Sequence, residues 1–254
     1  MAIPLFDHRL RALRRDRAVR IGVEAILYDR AFEDCLERLE DIRREFPDIL
    51  LAGCPNPAWP DRLRPGRVQV IDPGPLMANR AGGRCADLES LPMAANQFDL
   101  CLCIGLIDTT NVLALAAAAL HLVLKPGGLL IGAVPGGQSL PRLRQAMLAA
   151  DRAIGQASPR VHPRIEAAGL AELLTAAGFV MPVVDIDDVR LSYGSLDALV
   201  RDLRAMGATN ILAERSRQPL GRSALQAART AFLEGQDRVS ERIDIMHFAA
   251  WKSE

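Results

Sequence analysis

The chain has 254 residues, of which 50% are hydrophobic, and its 31 lysines and arginines balance 31 aspartates and glutamates. A chain of this length and apolar content can bury a sizeable core, which excludes a largely disordered protein. The balanced charge argues against a nucleic-acid partner, and no apolar run reaches the roughly 18 residues that a membrane span needs. The first residues lack an apolar signal core and the five cysteines form no CxxC pair. We therefore expect a cytoplasmic protein with reduced cysteines and no metal site.

The first 45 residues are predicted to form an N-terminal helical arm. Residues 1–20 are a basic segment that contains Arg9, Arg11, Arg14, Arg15, Arg17 and Arg20. Such a segment either is solvated or docks an acidic partner or a membrane surface. A cover helix is predicted over residues 20–39, where apolar residues recur on one helical face.

Apolar runs bounded by turn residues predict the first strands of a sheet. They lie at residues 48–53, 67–71, 98–104 and 129–134. Prolines 55, 57 and 60 favour an extended loop after the first strand, and residues 77–84 are predicted to be a linker. Residues 111–124 are rich in alanine and leucine and are followed by the sequence KPGG at 125–128, which predicts a crossover helix that ends there. A strand, a helix and a second strand form a βαβ unit with parallel strands, so the centre of the chain is a doubly wound α/β sheet.

The second half of the chain is predicted to alternate helices and strands. Ser139 is the expected N-cap of a helix that reaches residue 154, and Ser195 is the expected N-cap of one that reaches residue 205. Further helices are predicted at 167–177 and 221–234, and strands at 179–185, extending towards 193, and at 242–251. Residues 1–254 are therefore predicted to form one domain, with a helical insertion at 195–234 before the closing strand.

A ligand site is expected beyond the carboxyl ends of the strands, as in other open parallel sheets. Gly53 ends the first strand, and Asp72 ends the second roughly 20 residues later, the spacing at which nucleotide-binding folds place a ribose-binding carboxylate. Asp72 also begins an Asp-Pro-Gly-Pro turn, so a purely local role remains open. Asp87 either accepts the adenine amino group or caps a helix.

The loop after the first strand is poorly suited to a nucleotide by itself. Only Gly53 lets the backbone approach a ligand closely, because Pro55 and Pro57 stand where further glycines are wanted and supply no N–H donor. The four histidines are scattered without an HxD or HxE pair, and His121 is expected in the core. There is no GxSxG, HExxH or Walker sequence either, so no catalytic residue is assigned.

Several short sequence motifs carry a resemblance to a known family. LKPGG at 124–128 is common to many methyltransferases, whereas LRAMGATN at 203–210 is much narrower, and ADLESLP at 86–92 and SPRV at 158–161 add to them. Through these strings the chain resembles the class I S-adenosylmethionine-dependent methyltransferase superfamily, and within it the bacterial relatives of the mitochondrial complex I assembly factor 5. The similarity extends from the basic segment to residue 251.

The resemblance implies a Rossmann-like, seven-stranded sheet with an antiparallel last strand, and S-adenosylmethionine as the cofactor. It implies cofactor contacts at Gly53, Cys54, Asp72, Asp87, Leu88 and Ile104. The chain departs from the family pattern at Leu51, where the family has an acidic residue, and at Pro55 and Pro57, where it has glycines. A histidine–tryptophan pair of the family is replaced by residues 107–109.

Two classes of function remain open at this point. The first is S-adenosylmethionine-dependent methyl transfer to an unidentified acceptor, which needs few catalytic side chains because the enzyme mainly holds donor and acceptor in line. The second is a cofactor-degenerate assembly factor for a respiratory complex, either non-enzymatic or arginine-modifying. The expected partner is a protein substrate or a respiratory-complex subunit. A nicotinamide-dependent oxidoreductase shares the strand pattern, but the predicted closing strand argues against it.

Overall fold

The computed structural model describes residues 4–254, in which one mixed sheet organises the chain. Its strands are β1 (Asp48–Ala52), β2 (Arg67–Asp72), β3 (Arg84–Cys85), β4 (Phe98–Ile104), β5 (Leu124–Pro135), β6 (Phe179–Tyr193) and β7 (Val239–Lys252). Their order across the sheet is β3-β2-β1-β4-β5-β7-β6. Strands β1 to β5 are parallel, whereas β7 runs antiparallel to both of its neighbours. The predicted seven-stranded α/β sheet with an antiparallel last strand is confirmed.

Helices cover both faces of this sheet. They are α1 (His8–Ile21), α2 (Ile26–Asp41), α3 (Trp59–Arg62), α4 (Pro75–Arg80), α5 (Leu113–Val123), α6 (Pro141–Ile154), α7 (Ala167–Ala176), α8 (Leu196–Ala205) and α9 (Arg222–Leu233). Helices α8 and α9 lie between β6 and β7 along the chain, where the helical insertion was expected. None of the helices within residues 4–254 is long and apolar enough to cross a bilayer.

The core lies on both faces of the sheet, because β4 is buried at every position. Successive residues of a strand point to opposite faces. Leu102 packs on the face covered by α2, α6, α8 and α9, while Cys101 and Cys103 pack on the face covered by α5 and α7. These two cysteines therefore share one buried face, and burial raises the pKa of Cys103 to about 12.

Three predictions made around glycine and proline were wrong. The cover helix expected over 20–39 is interrupted at Gly22, whose φ of +93° separates α1 from α2. Pro60 does not prevent a helix, because it lies in the first turn of α3, where its missing N–H costs nothing. Residues 77–84 are not a linker, since they hold most of α4 and the first residue of β3.

Ser139 does not cap α6 as expected. The N-cap residue is Leu140, in the left-handed conformation, and the Ser139 hydroxyl instead donates to the Asp244 carbonyl at 3.3 Å and accepts from the Asp244 N–H at 3.1 Å. Ser195 does cap α8, since its Oγ accepts the Ala198 N–H at 3.1 Å. Ser139 therefore ties the start of α6 to β7.

Candidate functional site

The carboxyl edge of β1, β2 and β4 brings Gly53 and Ile104 into contact. The Gly53 N–H donates to the Ile71 carbonyl at 2.9 Å, and its φ is +86°. A Cβ at this position would lie 2.3 Å from the Ile104 carbonyl oxygen. Only glycine fits such a left-handed and crowded position, so Gly53 is required by the packing of the edge itself.

Asp72, the predicted ribose carboxylate, is completely buried and is bound by an arginine of α1. Arg15 donates from Nε to Oδ1 at 2.6 Å and from a terminal nitrogen to Oδ2 at 2.5 Å. The Gly74 N–H also donates to Oδ1 at 2.9 Å, which is the local turn role left open above. Burial by itself lowers the pKa of Arg15, but the charge and hydrogen bonds of Asp72 outweigh it and raise the pKa above its ordinary value.

Asp87, the predicted adenine contact, is held in the same way. Its Oδ1 accepts the Glu89 N–H at 3.1 Å, so it caps the short 3₁₀ turn at 88–90. Its Oδ2 forms an ion pair with Arg11, which also donates to the Thr109 carbonyl at 2.9 Å. The neighbouring Leu88 is buried in the core beside α5. Both predicted adenosine carboxylates therefore face arginines of α1.

The loop after β1 is shaped by α2 rather than by glycines. The thiol of Cys54 donates to the Asn56 carbonyl at 3.2 Å, and burial raises its pKa to about 12. The Asn56 amide and the Trp59 indole N–H both donate to Oδ1 of Asp29 at 2.8 Å. Because Asp29 belongs to α2, the proline-containing loop is fixed to that helix.

Helix α1 is held on both sides of this edge. Before it, the N–H of Phe6 donates to Oδ1 of Asn111 at 2.7 Å, and the Asn111 amide returns a bond to the Phe6 carbonyl at 3.1 Å. Along it, Oδ1 of Asp16 accepts the Leu76 N–H at 2.8 Å at the start of α4. On the opposite side Arg17 donates to the Thr209 hydroxyl at 2.9 Å. We call this docked arrangement of residues 5–21 the closed arm.

Beyond the ends of β4 and β5 the closed arm covers a cavity of about 100 Å³. A buried ion pair lies on its wall, with 2.6 Å between Arg164 and Oδ2 of Asp108. Burial raises the pKa of Asp108. His162 lies on the same wall, accepts the Ile211 N–H at 3.0 Å, and has its pKa lowered to about 3 by burial. Sequence reasoning missed Arg164 and assigned no role to Asp108, because a pair this far apart in the chain leaves no local signal.

A second group that the sequence did not indicate is His8, Asp87 and Glu89, whose potential ligand atoms lie within 4.8 Å of one another. It is the one such histidine–carboxylate group within residues 4–254. The Glu89 oxygens already accept the N–H groups of Asn111 and Val112 at 3.0 and 2.8 Å, and Asp87 is paired with an arginine. These carboxylates therefore have partners within the protein, and we assign no metal to them.

The closed arm decides whether the family's cofactor fits. An adenosine ribose needs a carboxylate that is free to accept its hydroxyls. Asp72 has no exposed surface and already accepts three hydrogen bonds. The residues as arranged here do not fit S-adenosylmethionine, and they would offer Asp72 only if α1 moved.

The sheet order, with β7 antiparallel between β5 and β6, is that of a methyltransferase-like class of protein. A methyltransferase-domain family profile matches residues 52–132. A malonyl-[acyl-carrier protein] O-methyltransferase from Laribacter hongkongensis is 32% identical over 198 residues, which cover 76% of this chain and 65% of that protein. The mitochondrial arginine-hydroxylase NDUFAF5 of Danio rerio is 30% identical over 267 residues, which cover 98% of this chain and 83% of that protein. The chain therefore belongs to the methyltransferase-like family of the NDUFAF5 proteins.

Solved structures give the same fold. A methyltransferase-like protein from Bacillus halodurans superposes with a TM-score of 0.58 at 14% identity, covering 86% of this chain and 99% of its own. The YcgJ protein of Bacillus subtilis superposes with a TM-score of 0.56 at 13% identity, covering 83% of this chain and 94% of its own. At these identities the likeness concerns the fold alone.

Proposed function

We propose that the protein is an S-adenosylmethionine-dependent methyltransferase whose cofactor site is shut by its own α1. The observation that carries the proposal is the Arg15–Asp72 pair, because Asp72 is the carboxylate that the resemblance implies for the ribose. Family membership supports the cofactor, and the buried arginine explains why its site is not accessible in the closed arm. The cofactor then binds only to the fraction of molecules in which α1 has moved, and its apparent affinity is reduced by that fraction.

The acceptor is proposed from the relatives. One of them is named for a malonyl group on acyl carrier protein, and another for hydroxylation of arginine. We propose that the acceptor of this chain is carried by a protein, either a carrier protein or a respiratory-complex subunit. The cavity beside Asp108 lies beyond the strand ends, where such folds bind their ligands.

A second candidate is a cofactor-degenerate assembly factor. It is favoured by the same closure, because both predicted adenosine carboxylates are neutralised internally by Arg15 and Arg11. Prolines 55 and 57 favour it as well, since they remove backbone donors from the first loop. In this candidate the closed arm is permanent and the protein acts by binding a partner.

Calorimetric titration with S-adenosylmethionine distinguishes the two candidates. We expect weak binding to the wild type and at least tenfold tighter binding to Arg15→Ala, because that change releases Asp72. The matched control is Arg9→Ala, which removes an exposed arginine of the same helix and leaves the affinity unchanged. Asp72→Asn abolishes the gain in the Arg15→Ala background.

Two results would contradict closure. Micromolar binding to the wild type that Arg15→Ala does not improve means that α1 does not compete with the cofactor. No binding to either protein at millimolar S-adenosylmethionine, with circular dichroism showing both folded, establishes the degenerate candidate instead.

A further inference from the structure

A group of arginines lies where α1 packs against the end of α8. Arg14 and Arg17 are one turn apart on the same side of α1, and Arg204 is in the last turn of α8. The two elements approach closely, because a Cβ at Gly207 would lie 3.4 Å from the Arg14 carbonyl oxygen. Arg17 also donates across this contact to the Thr209 hydroxyl at 2.9 Å. We call Arg14, Arg17 and Arg204 the arginine cluster.

No member of the arginine cluster is paired with a carboxylate within residues 4–254. Arg11 and Arg15 of the same helix, in contrast, each form an ion pair with an aspartate. The pKa of Arg17 is lowered to about 10 by burial and then by the charges of Arg14 and Arg204. Arg204 also lowers the pKa of Arg14. The three guanidinium groups are therefore close enough to repel one another, and an anion would relieve that repulsion.

The arginine cluster keeps surface that a ligand can reach. Arg204 is exposed, and Arg14 and Arg17 are half-buried. The Nε–H groups of Arg14 and Arg17 are buried, so a ligand would meet the terminal nitrogens of the side chains. Guanidinium groups match the geometry of carboxylate and phosphate oxygens. Three positive charges together favour a doubly charged phosphate over a singly charged carboxylate, because the Coulomb energy grows with the charge of the anion.

The arginine cluster borders a groove of about 630 Å³, since Arg204 and Thr209 are both part of the groove wall. Much of the remaining wall is apolar, with contributions from Leu140, Leu143 and Val200. A volume of this size and a largely apolar lining are typical of sites for small organic molecules. The groove therefore offers room for an organic group attached to the anion.

The unbalanced charge of the groove wall is positive. Three of its charged residues are neutralised in ion pairs, namely Arg160 with Asp151, Arg164 with Asp108 and Asp197 with Arg229. The other two, Arg201 and Arg204, form no ion pair within the described residues. The groove should therefore favour an anionic ligand over a neutral or cationic one.

We propose that the arginine cluster and the groove together bind a phosphate monoester. The phosphate oxygens accept hydrogen bonds from terminal nitrogens of Arg14, Arg17 and Arg204, and the apolar part of the ester lies in the groove. The site uses neither Asp72 nor Asp87 and requires no methyl transfer, so it is tested without S-adenosylmethionine.

The test compares phenyl phosphate, phenyl sulfate and inorganic phosphate. At pH 8 phenyl phosphate carries close to two negative charges, because its second pKa is about 6, whereas phenyl sulfate carries one on nearly the same shape. Each is titrated into the full-length protein by calorimetry at about 0.15 M salt, which screens distant surface charges. We expect phenyl phosphate to bind at least tenfold more tightly than phenyl sulfate. It should bind at least fivefold more tightly than inorganic phosphate, which has no group for the groove.

The matched variants each remove one positive charge. Arg204→Gln and Arg14→Gln should each weaken the binding of phenyl phosphate at least fivefold. Arg204→Gln should do so without lowering Tm, because the lost charge repels its neighbours, whereas loss of a purely structural residue would lower Tm. The control is Arg152→Gln, which removes an exposed arginine outside the groove wall and should leave binding unchanged.

Several outcomes overturn the proposal. Equal affinities for phenyl sulfate and phenyl phosphate refute the argument from charge, and equal affinities for phosphate and phenyl phosphate refute the role of the groove. Unchanged binding by both Arg204→Gln and Arg14→Gln places the phosphate elsewhere. Equal weakening by Arg204→Gln and Arg152→Gln means that only net charge attracts the anion, and absence of binding by all three molecules means that the arginine cluster is no anion site. None of these results depends on whether the protein binds S-adenosylmethionine.

Discussion

Replacing Arg15 by methionine would remove the partner of a carboxylate that has no exposed surface. The Arg15→Met variant keeps the length and apolar stem of the side chain but leaves the charge of Asp72 buried and unpaired. Breaking a buried ion pair in this way typically costs about 3–5 kcal/mol. For a chain of this size, each kcal/mol lowers Tm by roughly 2–4 °C, so we expect a fall of roughly 6–20 °C.

A double-mutant cycle isolates the pair from other effects of the changes. Asp72→Asn alone should also destabilise, because it leaves Arg15 charged and buried. The double variant Arg15→Met/Asp72→Asn should be much more stable than the sum of the single changes implies, since no unpaired charge remains. We expect a coupling free energy of about 2 kcal/mol or more, at the upper end of measured contact pairs. Urea unfolding followed by circular dichroism and tryptophan fluorescence measures all four proteins.

The cycle has a clear control and a clear refutation. Arg229 and Asp197 form an ion pair at similar distance, 2.8 Å, but on the surface, and exposed pairs contribute little. Its cycle should show almost no coupling. If the Arg15–Asp72 coupling is equally small, α1 is not docked on β2 in solution, and the account of a closed cofactor site is wrong.

Three further predictions concern pH, packing and the first loop. His162 is neutral in the fold, with its pKa lowered by burial to about 3, so the unfolded chain takes up the proton and stability falls as pH drops below about 6.5. By pH 5 the loss is about 2 kcal/mol, and urea unfolding of His162→Gln should lack this part of it. Gly132→Ala would place a Cβ 1.9 Å from the Cys103 carbonyl oxygen. We expect this overpacking to lower the free energy of unfolding by at least about 1 kcal/mol, and a smaller loss in thermal unfolding would contradict it. Asp29→Ala leaves the Trp59 indole N–H without its acceptor and should cost about 1–3 kcal/mol, with a shift in tryptophan emission.

The central βαβ unit could be predicted from sequence because its signals are local. The buried run at Phe98–Ile104 is bounded by polar residues and forms β4 at the expected positions. The crossover helix was expected over 111–124 and is α5, Leu113–Val123. Segments with proline or glycine at their ends were predicted less accurately. Helix α4 begins at Pro75, where a helix tolerates proline, and the same residues also suggested a turn.

The sequence could not predict that the carboxylates of the candidate site are paired with arginines of α1. Sequence reasoning identified Asp72 and Asp87 as carboxylates at strand ends and noted the basic segment at 1–20. Nothing local connects them, since Arg15 and Asp72 are 57 residues apart and Arg11 and Asp87 are 76 apart. Pairing of this kind is set by how α1 docks on the finished sheet. For the same reason, the sequence showed neither the Asp108–Arg164 pair nor the approach of His8 to Asp87.

The charges of the basic segment help to hold the closed arm in place. The sequence left open whether this segment docks an acidic partner. The chain itself supplies acidic groups for it, because the buried arginines of α1 bind Asp72 and Asp87. Beside these arginines, burial and then the positive charges of Arg215 and Arg204 lower the pKa of Arg14. Arg215 also pairs with Asp7, just before α1, at 3.4 Å, so the segment after α8 helps to hold the arm as well. Opening of a cofactor site by its own ligand would therefore require binding energy that offsets these pairs, because a ligand shifts an equilibrium only by its differential affinity for the two states.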